Sequence, residues 1–136
     1  MVGDEISCLK NVGLIQLSNA TSHCQSLDAS QILPRNRQES DDLVSALLSM
    51  NLSSDSGKTF VSIGIHKTKG IWNDIVGQPI SYFNWLPDQL DSIYENLKYA
   101  GFRINATNES VGWAKFNGTN ELNVVCTKRV GQGKRF

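Results

Sequence analysis

The residues of this chain best suited to contact a ligand crowd into one stretch, Tyr82-Phe83-Asn84-Trp85-Leu86-Pro87-Asp88-Gln89-Leu90-Asp91, with Tyr94 and Glu95 just beyond it. A run so aromatic and so polar is neither all core nor all solvated. It reads as a strand edge passing into an ordered surface loop, the usual place for binding residues. Catalysis fits these residues poorly. Asp88, Asp91 and Glu95 could be paired as glycosidase carboxylates, but no residue stands out as the acid. His23 and His66 lie beside no nucleophile signature. The cysteines form no C-x-x-C, so a zinc or redox site has no footing. The chain reads as a binding protein and not an enzyme.

The 136 residues specify one domain, 1–136, long enough to bury a core without metal or many disulfides. Thirteen basic residues balance thirteen acidic ones, which removes the electrostatic case for nucleic acid or an anionic membrane as main partner. No apolar run approaches the ~18 residues of a membrane span. Met1-Val2-Gly3-Asp4 lacks the charged start and apolar stretch of a signal peptide and reads as the start of a mature or excised chain. Five Asn-x-Ser/Thr sequons, at Asn19, Asn51, Asn105, Asn108 and Asn117, favour a secreted, glycosylated protein. Three cysteines, Cys8, Cys24 and Cys126, allow at most one intrachain disulfide and leave a thiol for a partner outside the chain.

The elements that must position the aromatic loop follow from periodicity. Ile6 to Leu17 reads as one or two short strands. Ala20, His23, Cys24 and Leu27 share one face of a helix capped by Ser18, Asn19 or Thr21. Asn36 followed by Glu39 resembles a capping signal, and Leu43, Val44, Leu47 and Leu48 make the inward stripe of a second helix. Val61, Ile63 and Ile65 alternate with Ser62 and Gly64, as in a strand with one buried face. Lys67–Gly70, including the solvated His66 before it, and Gly77-Gln78-Pro79 read as turns. Tyr99–Ile104, Val111–Phe116 and Leu122–Thr127 read as strands, with a polar turn from Asn105 to Ser110. The core spans about 6–128, and 129–136 is a flexible tail. Helices segregated from strands predict an α+β domain with a mostly antiparallel sheet.

In that order the motifs resemble the C-type lectin-like domain, from about Cys8 to Lys128. Ala20-x-x-His23-Cys24 resembles the first family helix, and Glu39-Ser40 with the Leu43 stripe the second. Ser62-Ile63-Gly64-Ile65 sits where the family has Trp-Ile-Gly-Leu. Gly70-Ile71-Trp72, Gly77-Gln78-Pro79-Ile80, Tyr82-Phe83-Asn84-Trp85 and Val124-Val125-Cys126 follow in family order. The resemblance implies two helices on short strands with a long irregular loop region. It also implies a Cys24–Cys126 disulfide worth about 4–5 kcal/mol by loop entropy. The family's second bridge would fall at Ala100 and Gly118, so the loop region lacks its usual covalent tie and is expected to be more mobile. Cys8 matches an N-terminal cysteine of long-form members, whose partner lies upstream.

In sugar-binding members a Glu-Pro-Asn or Gln-Pro-Asp tripeptide, a nearby Glu and a later Trp-Asn-Asp hold a calcium ion, which wants six to eight oxygens. Gln89-Leu90-Asp91 resembles the galactose-type tripeptide with Leu for Pro, and Glu95 stands where the nearby Glu would be. Leu90 predicts a trans bond in place of the family's cis bond, because a non-Pro cis bond costs about 3 kcal/mol or more. Trp113-Ala114-Lys115 replaces two oxygen ligands with a methyl group and a cation. Lys115 is expected to fill the metal position, paired with Asp91 or Glu95. Trp72-Asn73-Asp74 spells the family tripeptide too early in the chain and belongs to scaffold. The three tryptophans read chiefly as core or loop anchors.

The resemblance therefore implies an extracellular recognition module for a glycan or protein. Its ligand-binding candidates are Asn84, Gln89, Asp91, Glu95, Trp113 and Lys115, and no cofactor is expected. One alternative is a calcium-dependent galactose-type lectin with metal on Gln89, Asp91 and Glu95. Another is a structural or matrix domain that oligomerises through Cys8.

Overall fold

The computed structural model describes residues 7–90, 92–105 and 111–129; the expected tail and most of the Asn105–Ser110 turn lie outside them. Strand β1 (Ser7–Gln16) is followed by helix α1 (Leu17–Ser26), β2 (Ser30–Gln31), helix α2 (Arg37–Leu48), β3 (Ser54–Asp55), β4 (Lys58–Thr68) and β5 (Ile71–Asp74). After a long irregular segment come β6 (Tyr99–Asn105), β7 (Val111–Phe116) and β8 (Glu121–Arg129). The path of the sheet is β1-β8-β4-β6-β7, with β2 on β8 and both β3 and β5 on β4. Among the described residues, the strands pair antiparallel except for the single parallel Val61–Asn123 pairing of β4 with β8, and the isolated Trp85–Trp113 bridge is also parallel. This is the α+β architecture that the segregated helices and strands predict.

Local chemistry explains where the elements depart from periodicity. β1 is one strand, because it crosses Gly13 through a shift in register between Asn11 and Leu14. Gly13 takes φ +95°, a region open to glycine, and its N–H donates to Asn11 Oδ1 at 2.9 Å. α1 starts at Leu17, and none of Ser18, Asn19 or Thr21 caps it. Its leading N–H groups, from Leu17 and Ser18, instead donate to the carbonyls of Asn120 and Gly118, both at 3.0 Å, so a turn distant in sequence does the capping. Leu17, Ala20 and Cys24 face inward, whereas His23, expected on that face, is exposed.

α2 follows its signal. Asn36 Oδ1 accepts the Glu39 N–H at 2.9 Å, and Glu39 Oε1 accepts the N–H of Arg35, one residue before the cap, at 2.8 Å, a variant of the capping box with Asn in the usual Ser/Thr role. Leu47 is buried, and Leu43 and Val44 pack against the core. Leu48 departs from the expected stripe and is 62% exposed, while Ser40 is buried. Val61–Ile65 of β4 are buried on both faces, where alternation predicts one. The reason is position: β4 lies between β6 and β8, and the β2 segment covers its second face. Gly64 N–H donates to Ile32 O at 2.9 Å, and Ser62 Oγ donates to Gln31 Oε1. His66 lies within β4, not in a turn, and its exposed ring stacks on Tyr99.

Cys24 and Cys126 form a disulfide across 102 residues, with Cα atoms 5.5 Å apart. It joins α1 to β8 in a small cluster with Ala20 and Val124, beside the main core around Val61, Ile63, Phe102 and Trp113. At the expected second-bridge positions, Ala100 is buried. A Cβ on Gly118 would meet Tyr99 Cε2 at 2.9 Å, so a ring occupies the place of a side chain. Cys8 is a free, half-buried cysteine opposite Lys128 in the β1–β8 ladder.

Candidate functional site: the loop laid along strand β7

β7 pairs with β6 on one side only, so its other edge offers unpaired backbone groups. The segment from Asn84 to Gln89 covers that edge. Trp113 N–H donates to Asn84 O at 2.8 Å, and Leu86 N–H donates to Trp113 O at 2.9 Å. One more step along, the side chain of Gln89 takes over, its Oε1 accepting the Lys115 N–H at 2.8 Å. Gly112 makes the close approach possible, since a Cβ there would lie 2.5 Å from Leu86 Cγ. The expected strand edge at Tyr82–Trp85 is thus reduced to one bridge, Trp85 to Trp113, before two short 3-10 turns, Pro87–Leu90 and Ser92–Tyr94.

The aromatics do the packing. Trp113 is fully buried. Tyr82 and Trp85 meet it edge-on, at centroid distances of 5.7 and 5.6 Å, and Phe83 lies at 6.3 Å. Trp72 adds to the stack at 5.0 Å from Trp85. Trp113 is therefore an anchor and not a contact surface; its Nε1 has no acceptor among the described residues. Phe83 stays 42% exposed, and Leu90 and Ile93 are exposed above 70%, so the outward face of the loop is partly apolar.

Charges complete the clamp. Arg103 on β6 grips Asp88 with both terminal nitrogens, at 3.1 and 3.3 Å, the bidentate geometry in which guanidinium excels. Lys115 places its Nζ 5.1 Å from the Trp85 ring centroid, a cation–π contact. Burial holds the Lys115 pKa below 10.5, the neighbouring Lys67 adds to that effect, and Glu95 opposes it. Lys67 in turn donates to Glu95 O at 3.1 Å.

The sequence-predicted residues therefore divide. Gln89 is buried with its oxygen committed to β7, and its bond to Leu90 is trans. Lys115 and Glu95 share one electrostatic neighbourhood. Asn84 is fixed by its backbone and, unlike Gln89, Glu95 and Lys115, lines a groove on the α2 side. Asp91 lies outside the described residues. Nothing in the spacing of residues 88 and 103 announces the Asp88–Arg103 pair, which only the folded chain brings together. Among the described residues no three His, Cys, Asp or Glu side chains group as metal ligands.

Trp72-Asn73-Asp74 lies in β5, a strand of the sheet. The Asp74 carboxylate accepts N–H groups of Val76 at 3.1 Å and Gln78 at 2.9 Å and pairs with Arg35 at 3.3 Å. Burial alone would raise its pKa, but the two backbone donors and Arg35 together hold it below 3.8. Its oxygens serve the turn. Of the sequons, Asn19, Asn51 and Asn117 are exposed, Asn105 is half-buried, and Asn108 lies outside the described residues.

No protein-family model and no curated protein sequence matches the chain. Solved structures do. The mouse scavenger receptor C-type lectin carbohydrate-recognition domain superposes with a TM-score of 0.67 at 19% identity, covering 90% of this chain and 89% of that one. Human lithostathine gives 0.72 at 16%, covering 89% and 82%. A calcium-independent type II antifreeze protein gives 0.66 at 15%, covering 94% and 88%. At such identities the likeness is one of architecture. With its two helices, its mostly antiparallel sheet and the α1–β8 disulfide, the chain has the C-type lectin-like fold.

Proposed function

We propose that this chain is an extracellular recognition domain, not an enzyme, and that its loop face binds a glycan or protein ligand without calcium. One observation carries the reading: the side-chain oxygen of Gln89, the first donor of the expected calcium tripeptide, accepts a backbone N–H of β7. A hard cation needs several such oxygens free at one point. Here Gln89 is spent, Ala114 supplies none, and Lys115 brings an ammonium to the same edge. The contacts of Gln89 and Lys115 seat the loop on β7, and that of Asp88 ties it to Arg103 of β6, so the chain's own groups hold it there.

The carbohydrate-recognition domains among the structural neighbours, including that of murine dendritic cell inhibitory receptor 2 in complex with N-glycan, make glycans the first ligands to test. Exposed Phe83, Leu90 and Ile93 add apolar area suited to a protein partner. The exposed sequons support an extracellular setting, and no described helix is long and apolar enough to cross a membrane. Calorimetric titration with calcium chloride, alone and with galactose or mannose, tests the calcium reading. No metal-dependent heat is expected. Micromolar to low-millimolar calcium binding that switches on sugar binding would overturn it.

A further inference from the structure

The turn between β7 and β8 holds a reactive pair far from the loop face. Asn117-Gly118 is the only Asn-Gly pair in the chain, and Asn117 is exposed. We propose that this pair is a self-modifying site: the Gly118 nitrogen closes on the Asn117 side chain, and the product loosens the start of α1. What the loop face binds has no bearing on it.

The turn pins its backbone and leaves the reacting groups open. Asn117 N–H donates to Asn120 Oδ1 at 2.8 Å, and Asn117 O accepts the Asn120 N–H at 3.0 Å. Among the described residues Gly118 N–H and Asn117 Nδ2 donate to nothing. Asn117 Oδ1 accepts the Thr119 N–H at 3.4 Å. That donor points to the oxygen on which negative charge develops as Gly118 attacks, the arrangement that stabilises a tetrahedral oxyanion. Glycine leaves the attacking nitrogen unhindered and its backbone free to turn. The fold also requires glycine here, since a Cβ on residue 118 would lie 2.9 Å from Tyr99 Cε2 and 3.4 Å from Ser18 Cβ. Packing thus keeps the reactive pair in place.

The reaction needs only water. Hydroxide takes the Gly118 N–H proton, and the nitrogen bonds to Asn117 Cγ. The Cγ–Nδ2 bond breaks, and Nδ2 leaves as ammonia with a proton from water, which restores the hydroxide. The cyclic imide then adds water. Opening at the Asn117 main-chain carbonyl gives isoaspartate, with the backbone running through Cβ and Cγ, and opening at Cγ gives aspartate. Isoaspartate therefore puts an extra carbon into the backbone just before Gly118. Gly118 O and Asn120 O accept the first α1 N–H groups, those of Ser18 and Leu17, both at 3.0 Å. A lengthened turn shifts these acceptors and frays the helix start. Asn117 also heads a sequon, and the nitrogen that would carry a glycan is the one expelled, so the two fates exclude each other.

Incubation of the whole unglycosylated chain at mildly alkaline pH, followed by peptide mass mapping and isoaspartyl methyltransferase labelling, tests the proposal. Asn117 should convert about tenfold or more faster than Asn51, which is also exposed but precedes Leu52. Conversion should slow in mild acid, where hydroxide is scarce. Amide exchange at Leu17 and Ser18 should quicken in step with isoaspartate, while Val61 and Val124 stay protected. Asn117→Gln, whose longer side chain closes the ring poorly, should keep the Leu17 and Ser18 amides slow over the same time, which separates the effect from general ageing of the sample. An Asn117 that stays intact while the free peptide 115–121 converts, conversion no faster than at Asn51, or isoaspartate with no change at Leu17 and Ser18 would each overturn the assignment.

Discussion

Burial of Lys115, reinforced by Lys67 and opposed by Glu95, lowers its pKa below 10.5, so the folded chain binds its proton less tightly than the unfolded chain does. Between the lowered value and 10.5 the unfolded state carries more protons, and stability rises with pH. Below that window the charged side chain carries a constant cost, offset in part by the Trp85 ring. Lys115→Met should therefore melt at or above the wild-type temperature near pH 7, with the gap closing as pH approaches 10.5. A variant melting well below wild type at pH 7 would mean the cation–π contact dominates. Asn123 presents the opposite case. It is 2% exposed, and its amide accepts from Ser53 N–H at 2.9 Å and donates to Ser53 O and Phe60 O at 2.8 and 2.9 Å. Asn123→Leu keeps the branched skeleton, with bulkier methyl ends, but strands three backbone groups, and should cost on the order of 3 kcal/mol in urea unfolding. A cost under about 1 kcal/mol would mean that water replaces the amide.

The loop on β7 is a pairing finished by a side chain. Two backbone hydrogen bonds at Trp113 and one from Lys115 N–H to Gln89 Oε1 align residues 84–89 with the strand edge. Gln89→Leu removes the last of these and should speed amide exchange at Lys115 and Leu86 while leaving β6 and β8 protected. The accompanying loss of stability should be about 1–2 kcal/mol. Uniform exchange across the sheet would instead show that the loop is part of one global unit. The cap of α2 was legible because Asn36 and Glu39 are neighbours in sequence. The cap of α1 was not, since Gly118 and Asn120 come from the other end of the chain.

Across the whole molecule one covalent link governs the fold's entropy. Cys24 and Cys126 close 102 residues, and their joint replacement by Ala should destabilise the domain by about 4–5 kcal/mol on the chain-entropy model, read as a lowered denaturation midpoint. An unaltered midpoint would show that the reduced chain already holds its ends together. Both termini of the link sit in the smaller cluster with Ala20 and Val124, while the loop rides on the main core through Trp113. The loop can therefore be altered without touching the bridge.

Spacing along the chain determined the second helix and its cap, the approximate places of four later strands and the turn at Gly77, because each rests on residues within a few positions of one another. The ordered motifs, taken together, pointed to the family resemblance and with it the Cys24–Cys126 pair. Only the folded chain decided that both faces of β4 are buried, that Gln89 serves the backbone of a strand 26 residues away, and that Asn84 lines a groove beside α2 apart from Gln89, Glu95 and Lys115. Those outcomes depend on which surfaces meet after closure, and a hydrogen-bond partner supplied by closure leaves no period in the sequence.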